Sequence, residues 1–107
     1  MNVRFGEGAV RFRISCEELQ SLLGGNKLEE SLTLAGKEVL LTIDPSGADQ
    51  VLDLIYDQGR IGLKTSLYSL RALDQEGRQK EGIINNVGGS ALSLQVDLKS
   101  YSRQKQG

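Results

Sequence analysis

The chain opens on two runs in which hydrophobic and polar residues alternate. The runs VRF at residues 3–5 and VRFRI at residues 10–14 place Val, Phe and Ile on one side and Arg on the other. This period of two is typical of a strand that buries one face. The GEG segment between the runs tolerates the positive φ of a tight turn, so the pattern predicts a β-hairpin.

A helical spacing replaces the alternation at Ser15. Ser15 followed by Glu18 fits a capping box, in which the hydroxyl accepts from the backbone N–H of residue 18 and the carboxylate reaches back to the N–H of residue 15. The leucines of the LQSLL segment follow at helical spacing, and the two glycines after them suit a left-handed cap. The pattern therefore predicts a short helix over residues 15–23.

The rest of the chain predicts six more strands and a second short helix, which begins after Ser66. The predicted strands span residues 28–34, 37–43, 51–56, 60–65, 83–87 and 91–99. The Asp-Pro-Ser-Gly segment at 44–47 is a turn signal, and the polar QEGRQKE segment at 75–81 indicates a loop.

The order hairpin, helix, hairpin occurs twice along the chain. When the numbering is shifted by 51, residues 3–22 fall on residues of similar character at 54–73. With a further adjustment of four residues in the loop, residues 39–43 fall on 94–98. Self-similarity of this kind predicts a duplicated ββαββ unit.

These elements predict an α+β fold with one antiparallel sheet of about eight short strands and two short helices. We expect a barrel-like or strongly curved sheet, because closure covers the two exposed edges and the helices gain stability by packing their leucines on it. The prediction is a single domain over residues 1–99, with pseudo-repeats at 1–45 and 50–99. Residues 100–107 are basic and poor in hydrophobic side chains, which predicts a flexible tail.

Composition narrows the possible functions. Thirteen Lys and Arg against fourteen Asp and Glu in 107 residues give a net charge of −1, so no bulk field attracts nucleic acid or an anionic membrane. The absence of His and the single Cys exclude a Ser-His-Asp triad, a Cys-His pair and a His-containing metal site. No apolar run resembles a signal peptide or a transmembrane helix, so we expect a cytoplasmic protein without a membrane partner.

Four cations form the candidate ligand site. Arg4, Arg11 and Arg13 share the polar face of the first hairpin, and Lys64 holds the position of Arg13 in the second half. Guanidinium groups bind oxyanions bidentately, so this cluster predicts an anion site. The alternative is the solvated face of amphipathic strands, balanced by carboxylates across the strands. The carboxylates considered for that role are Glu7, Glu29 and Asp53.

Other polar residues predict no catalytic or metal site. Asp53, Asp97 and Glu38 occupy polar-face positions, and no spacing forces any two of them together. The Gly-Gly-Ser segment at 88–90 precedes a predicted strand rather than a helix, so it indicates a hairpin turn and not a phosphate-binding loop. No cofactor is predicted.

The segment VRFRISCEELQSLLGGNKLEE resembles the start of a family of small bacterial proteins of unknown function. In that family a short basic hairpin leads through Ser or Thr into an acidic helix, a glycine and an acidic strand. The resemblance covers chiefly residues 3–30, with weaker similarity through LIYDQGRIGLKTS, and it implies no activity.

The predicted duplicated barrel is also similar to the CYTH-like triphosphate tunnel enzymes. Those enzymes carry alternating carboxylates and a lysine on the first strand, where they hold metal and phosphate. The corresponding strand of this chain, Asn2-Val3-Arg4-Phe5, has no carboxylate. A shared architecture does not by itself transfer an activity.

The sequence thus predicts a non-enzymatic binding or accessory protein. Its partner is unknown; a protein or a second copy of the chain is considered, and nucleic acid is not expected. The alternative is a CYTH-like barrel that binds or hydrolyses a phosphate compound or polyanion. That alternative requires the four cations Arg4, Arg11, Arg13 and Lys64 to line one cavity together with Asp53 or Asp97.

Overall fold

A computed structural model describes residues 1–47, 52–75 and 82–97 of the chain. Two predicted features lie outside the described residues, namely most of the polar loop at 75–81 and the basic tail at 100–107. The end of the last predicted strand, at 98–99, also lies outside them.

The described residues form eight strands and two helices in the predicted order, which confirms the α+β class. The elements of the first half are β1 (Asn2–Gly6), β2 (Ala9–Ile14), α1 (Cys16–Leu23), β3 (Leu28–Leu34) and β4 (Lys37–Asp44). The elements of the second half are β5 (Asp53–Asp57), β6 (Arg60–Lys64), α2 (Leu67–Leu73), β7 (Ile83–Val87) and β8 (Ser90–Val96). Both α1 and α2 lack the length and apolar character needed to span a membrane.

The prediction of one antiparallel, barrel-like sheet is wrong. The eight described strands form two four-stranded sheets, which we call the first sheet, with the order β1-β2-β8-β7, and the second sheet, with the order β3-β4-β6-β5. Each sheet is mixed: its hairpins are antiparallel, but β2 pairs with β8 in parallel, and so does β4 with β6.

The parallel pairs arise because each half contributes one hairpin to each sheet. In both hairpins of the first sheet the second strand lies inside, and β2 and β8 both run away from their own turns. The turns of the two hairpins lie at the same end of the sheet, where the N–H of Ala91 donates to the carbonyl of Gly8, so β2 and β8 run in the same direction. A parallel pair needs a long connection, which is supplied here by the helix and the other sheet. The prediction failed because it assumed that hairpins adjacent in the sequence pair with each other.

One hydrophobic cluster joins both halves. The inward side chains of the two sheets meet those of the helices, with Leu19 and Leu22 on α1 and Leu70 and Leu73 on α2 all buried. Each helix begins at a serine whose hydroxyl accepts a backbone N–H three residues on, and α1 has the complete capping box that the sequence predicts. The two helices therefore have equivalent settings, as the repeat requires.

The correspondence between the halves differs from the predicted one in the last hairpin. Leu41 pairs with Ile61 and Leu92 pairs with Val10, so Leu41 corresponds to Leu92 at the original shift of 51. The four-residue adjustment applies to β3 and β7 only. The shift returns to 51 in β4 and β8 because the β3–β4 hairpin is two residue pairs, and therefore four residues, longer than the β7–β8 hairpin.

Candidate anion-binding face

The first hairpin brings three arginines together on the outside of the first sheet. Arg4 on β1 is the direct cross-strand partner of Arg11 on β2, and Arg13 follows two residues along β2. Because successive side chains of a strand point to opposite faces, the burial of Phe12 and Ile14 fixes the arginines outward. We call this surface, defined by Arg4, Arg11 and Arg13, the arginine face.

The arginine face contains a small groove of about 40 Å³. Its lining consists of the three arginines and two amide side chains: Asn2, Arg4, Arg11, Arg13 and Gln95. Asn2 is the cross-strand partner of Arg13, and Gln95 is the partner of Arg13 on the opposite side, in β8. The groove therefore offers N–H donors from three strands, and no carboxylate of the described segments lines it.

The three arginines are exposed, and none of them forms an ion pair within the described residues. The carboxylates considered as balancing charges do not lie across the strands from them. Glu29 and Asp53 belong to the second sheet, and Glu7 lies in the turn after β1. Like charges directly opposite each other in a sheet are destabilising, so the Arg4–Arg11 pair does not favour folding of this hairpin.

Lys64 does not join the arginine face. It lies on β6 in the second sheet, with Asp53 of β5 on one side and Asp44 of β4 on the other. Asp97 follows β8, where its backbone N–H donates to the carbonyl of Ile14 at 2.8 Å. The four predicted cations therefore do not line one cavity with Asp53 or Asp97.

Hydrogen bonds stabilise the ionised form of the Asp44 carboxylate. Its carboxylate accepts from the Ser46 hydroxyl and from the Ser46 backbone N–H, the latter at 2.9 Å, and these bonds lower the pKa of Asp44. Burial raises that pKa by less than either hydrogen bond lowers it, and the positive charges of Lys27 and Lys64 make smaller contributions that lower it. The surroundings of Lys64 are therefore anionic, unlike those of the arginines.

The second sheet contains positions equivalent to those of the arginines and shows which residues the fold accepts there. At the shift of 51, Arg4 corresponds to Ile55 and Arg11 to Gly62. A Cβ at Gly62 would lie 2.6 Å from the Oγ1 of Thr42, so any side chain there would have to displace the Thr42 side chain. The arginine face thus has no counterpart on the other sheet, apart from Lys64 at the position of Arg13.

Sequence reasoning missed three polar residues of the first sheet that its topology places at or beside the arginines. Asn2 precedes the first hydrophobic run, and a polar residue there carries no signal of its own. Gln95 and Ser93 belong to β8, which meets β2 only through the parallel pairing, with Ser93 the partner of Arg11. Ser93 is 7% exposed, and its Oγ has no hydrogen-bond partner among the described residues.

A larger cleft lies elsewhere, between α2 and the start of β7. Its volume is about 290 Å³, and Tyr68 and Ile84, which contribute to its lining, are 83% and 63% exposed. The remaining lining residues are Ser69, Ala72, Leu73, Gly82 and Ile83, none of them charged. The cleft contains none of the predicted site residues. Within the described segments, no three His, Cys, Asp or Glu side chains are grouped so that they could hold a metal ion.

No protein-family model matches the chain, and comparison with curated proteins and with solved structures found no similar protein. The resemblances to the bacterial family of unknown function and to the CYTH-like enzymes therefore stay predictions.

Proposed function

We propose that this protein is a non-enzymatic binding protein that takes an anionic partner on its arginine face. The observation that carries the proposal is the direct opposition of Arg4 and Arg11, beside Arg13, without an ion pair in the described part of the chain. An anion between these guanidinium groups replaces repulsion with charge-assisted hydrogen bonds.

We further infer that the chain arose by duplication of a ββαββ unit. Each sheet contains one hairpin from each half, and the two sheets have the same strand order when the halves are exchanged. The half that carries Ile55 and Gly62 builds the same local structure as the half that carries Arg4 and Arg11. The arginines are therefore dispensable for this architecture, which supports a role in binding.

The geometry does not favour the CYTH-like alternative. A hydrolytic barrel of that kind needs its cations and carboxylates in one cavity. Here the arginines lie on the outside of the first sheet, and Lys64 lies on the second sheet beside Asp53. Acid–base or metal chemistry at the arginine face would have to proceed without a carboxylate in its lining.

Inorganic triphosphate is a suitable first probe because it is small and highly charged. Both the anion-binding proposal and the CYTH-like alternative predict that it binds. A ligand that binds only the native state at 100 times its dissociation constant adds about 2.7 kcal/mol to stability. For a domain of this size that shift raises Tm by roughly 10 °C or more. We expect such a rise at low ionic strength and a smaller one at high salt, since salt screens exposed charges.

Matched variants locate the binding. Arg11→Gln is expected to abolish most of the Tm rise, whereas Lys64→Gln, which removes the corresponding surface cation of the second sheet, is expected to leave it unchanged. No rise with triphosphate in the wild-type protein, or an equal rise in both variants, would overturn the proposal. Release of orthophosphate from triphosphate would instead favour the CYTH-like alternative.

A further inference from the structure

We infer that the arginine face recognises a single phosphate group, as free phosphate or as a phosphomonoester. This inference rests on the proposed function and names the class of anion. It follows from the size of the groove, from the borders of the cationic patch and from the donors that line it.

The groove has the volume of one small oxyanion. About 10–15 Å³ of such space holds one water-sized atom. A volume of about 40 Å³ therefore accommodates only a few such atoms, which suits a compact oxyanion such as a phosphate group. A long polyanion or a folded acidic surface would leave most of its charge outside this groove.

The cationic patch ends abruptly along the strands. The row of paired residues next to Arg4 and Arg11, toward the hairpin turns, is uncharged. It consists of Gly6, Ala9, Ala91 and Asn86, and its one side-chain donor, Asn86, lies on β7 at the far side of the sheet from the arginines. Along a strand, the arginine row and this row are separated by two residues, or about 6.6 Å. An extended polyanion would cross this uncharged row, so the patch suits a compact anion.

The patch also ends across the sheet. In the row of Arg4 and Arg11, the strand beyond Ser93 contributes Ile84, an apolar side chain that is 63% exposed. Among the described residues, the cations of this face thus lie on the β1–β2 hairpin, all on one side of β8. Confinement of three cations to this area concentrates positive potential over the groove.

Donor number favours phosphate over a carboxylate. One carboxylate has two oxygens and satisfies a single guanidinium bidentately. A phosphate dianion has three acceptor oxygens and about twice the charge, so it can bridge Arg4, Arg11 and Arg13 at once. The amides of Asn2 and Gln95 flank Arg13 in the same groove and are placed to hydrogen-bond an oxyanion there.

Isothermal titration with three probes at two pH values tests the inference. The probes are inorganic phosphate, phosphoserine and sulfate, each at pH 5.5 and pH 7.5. The second pKa of a phosphomonoester is about 6, so the dianion dominates only at the higher pH. The chain has no histidine, and sulfate keeps the same charge at both pH values, so sulfate reports any titration of the protein itself. A pH effect that phosphoserine shows and sulfate does not therefore originates in the ligand.

We expect one phosphoserine per chain and an affinity at least about threefold higher at pH 7.5 than at pH 5.5, in line with the loss of the dianion below its pKa. Sulfate should bind with the same affinity at both pH values. Arg11→Gln and Arg13→Gln should each weaken binding of phosphate and phosphoserine at least about tenfold, the scale of one lost charge-assisted hydrogen bond. Lys64→Gln should bind like the wild type.

The different probes and variants distinguish failure of this inference from failure of the proposed function. If triphosphate binds through Arg11 but neither phosphate nor phosphoserine does, the single-phosphate inference is overturned and the anion-binding function stands. If no anion binds, both are overturned. Two or more phosphoserines per chain, or binding that Arg11→Gln leaves intact, would also contradict the single-phosphate site. A preference for phosphoserine over inorganic phosphate identifies a group presented on a larger molecule; the reverse identifies free phosphate.

Discussion

The side-chain amide of Asn85 donates a hydrogen bond to the backbone carbonyl of Leu52 at 2.8 Å and thereby connects the two sheets. Asn85 lies on β7 of the first sheet, and Leu52 immediately precedes β5 of the second. In the other half, Glu30 on β3 corresponds to Asn85, and its carboxylate lies 3.7 Å from the terminal ammonium of Met1, which corresponds to Leu52. Both sheet-to-sheet junctions therefore use a polar contact at the same position.

Asn85→Ala is expected to destabilise the protein by about 1–2 kcal/mol, because it leaves the buried carbonyl of Leu52 without this donor. Asn86→Ala, at the exposed neighbouring position, removes an identical side chain and should change stability by less than about 0.5 kcal/mol. Urea unfolding of both variants measures the difference. Equal losses would show that the Asn85–Leu52 bond does not hold the sheets together.

Gly82 immediately precedes β7, at a position where the backbone of β8 leaves no room for a side chain. Its φ is +76°, and an added Cβ would overlap the carbonyl oxygen of Leu94 and lie 2.6 Å from Cγ of Gln95. Gly82→Ala should therefore cost more than about 2 kcal/mol, the sum of left-handed strain and a clash with the backbone.

Gly36→Ala is the matched control for Gly82→Ala. Gly36 has a similar φ of +77°, but no atom lies within 4 Å of its Cβ position. Only the conformational cost of about 1 kcal/mol should apply there. Thermal unfolding of the two variants separates strain from steric overlap, and an equal loss of stability would contradict the close approach at Leu94.

Asp44 should give the protein a measurable acid dependence. Because the hydrogen bonds from Ser46 lower its pKa in the folded state, the charged carboxylate stabilises the fold at pH values above its ordinary pKa of 3.8. This contribution is lost as the pH falls through the lower folded-state pKa. The stability difference between the wild type and Asp44→Asn should thus be constant above a pH of about 5 and shrink below 3.8.

Urea unfolding between pH 2 and pH 7 checks this dependence. Glu17→Gln, at an exposed position in the first turn of α1, controls for the loss of one negative charge. A difference between wild type and Asp44→Asn that stays constant down to pH 2 would show that the Ser46 hydrogen bonds do not favour the ionised form.

Patterns of residues close in sequence were sufficient to predict the helices and strands of this fold. The capping box of Ser15 and Glu18 set the start of α1, and β3 and β7 have the predicted bounds. These features depend on residues close in sequence, and alternation or capping expresses them directly. Alternation also assigned Arg4, Arg11 and Arg13 to one face, because all three belong to one hairpin.

The pairing of hairpins could not be predicted in the same way. Alternation tells which side of a strand is buried but not which distant strand lies beside it, so β2 gave no sign of its parallel partner β8. The error in sheet membership also misplaced Lys64, which is equivalent to Arg13 in its own half and yet lies on the other sheet. Gln95 was missed for the same reason.

Urea unfolding of the Arg4→Gln/Arg11→Gln double variant at low ionic strength, with and without saturating inorganic triphosphate, tests most directly whether these arginines bind an anion rather than support the fold. The account predicts that the variant without ligand is at least as stable as the wild type, because a repulsive cross-strand pair is removed. It also predicts that triphosphate stabilises the wild type alone. A variant that loses more than about 1 kcal/mol without ligand, and gains as much as the wild type with it, would contradict the account.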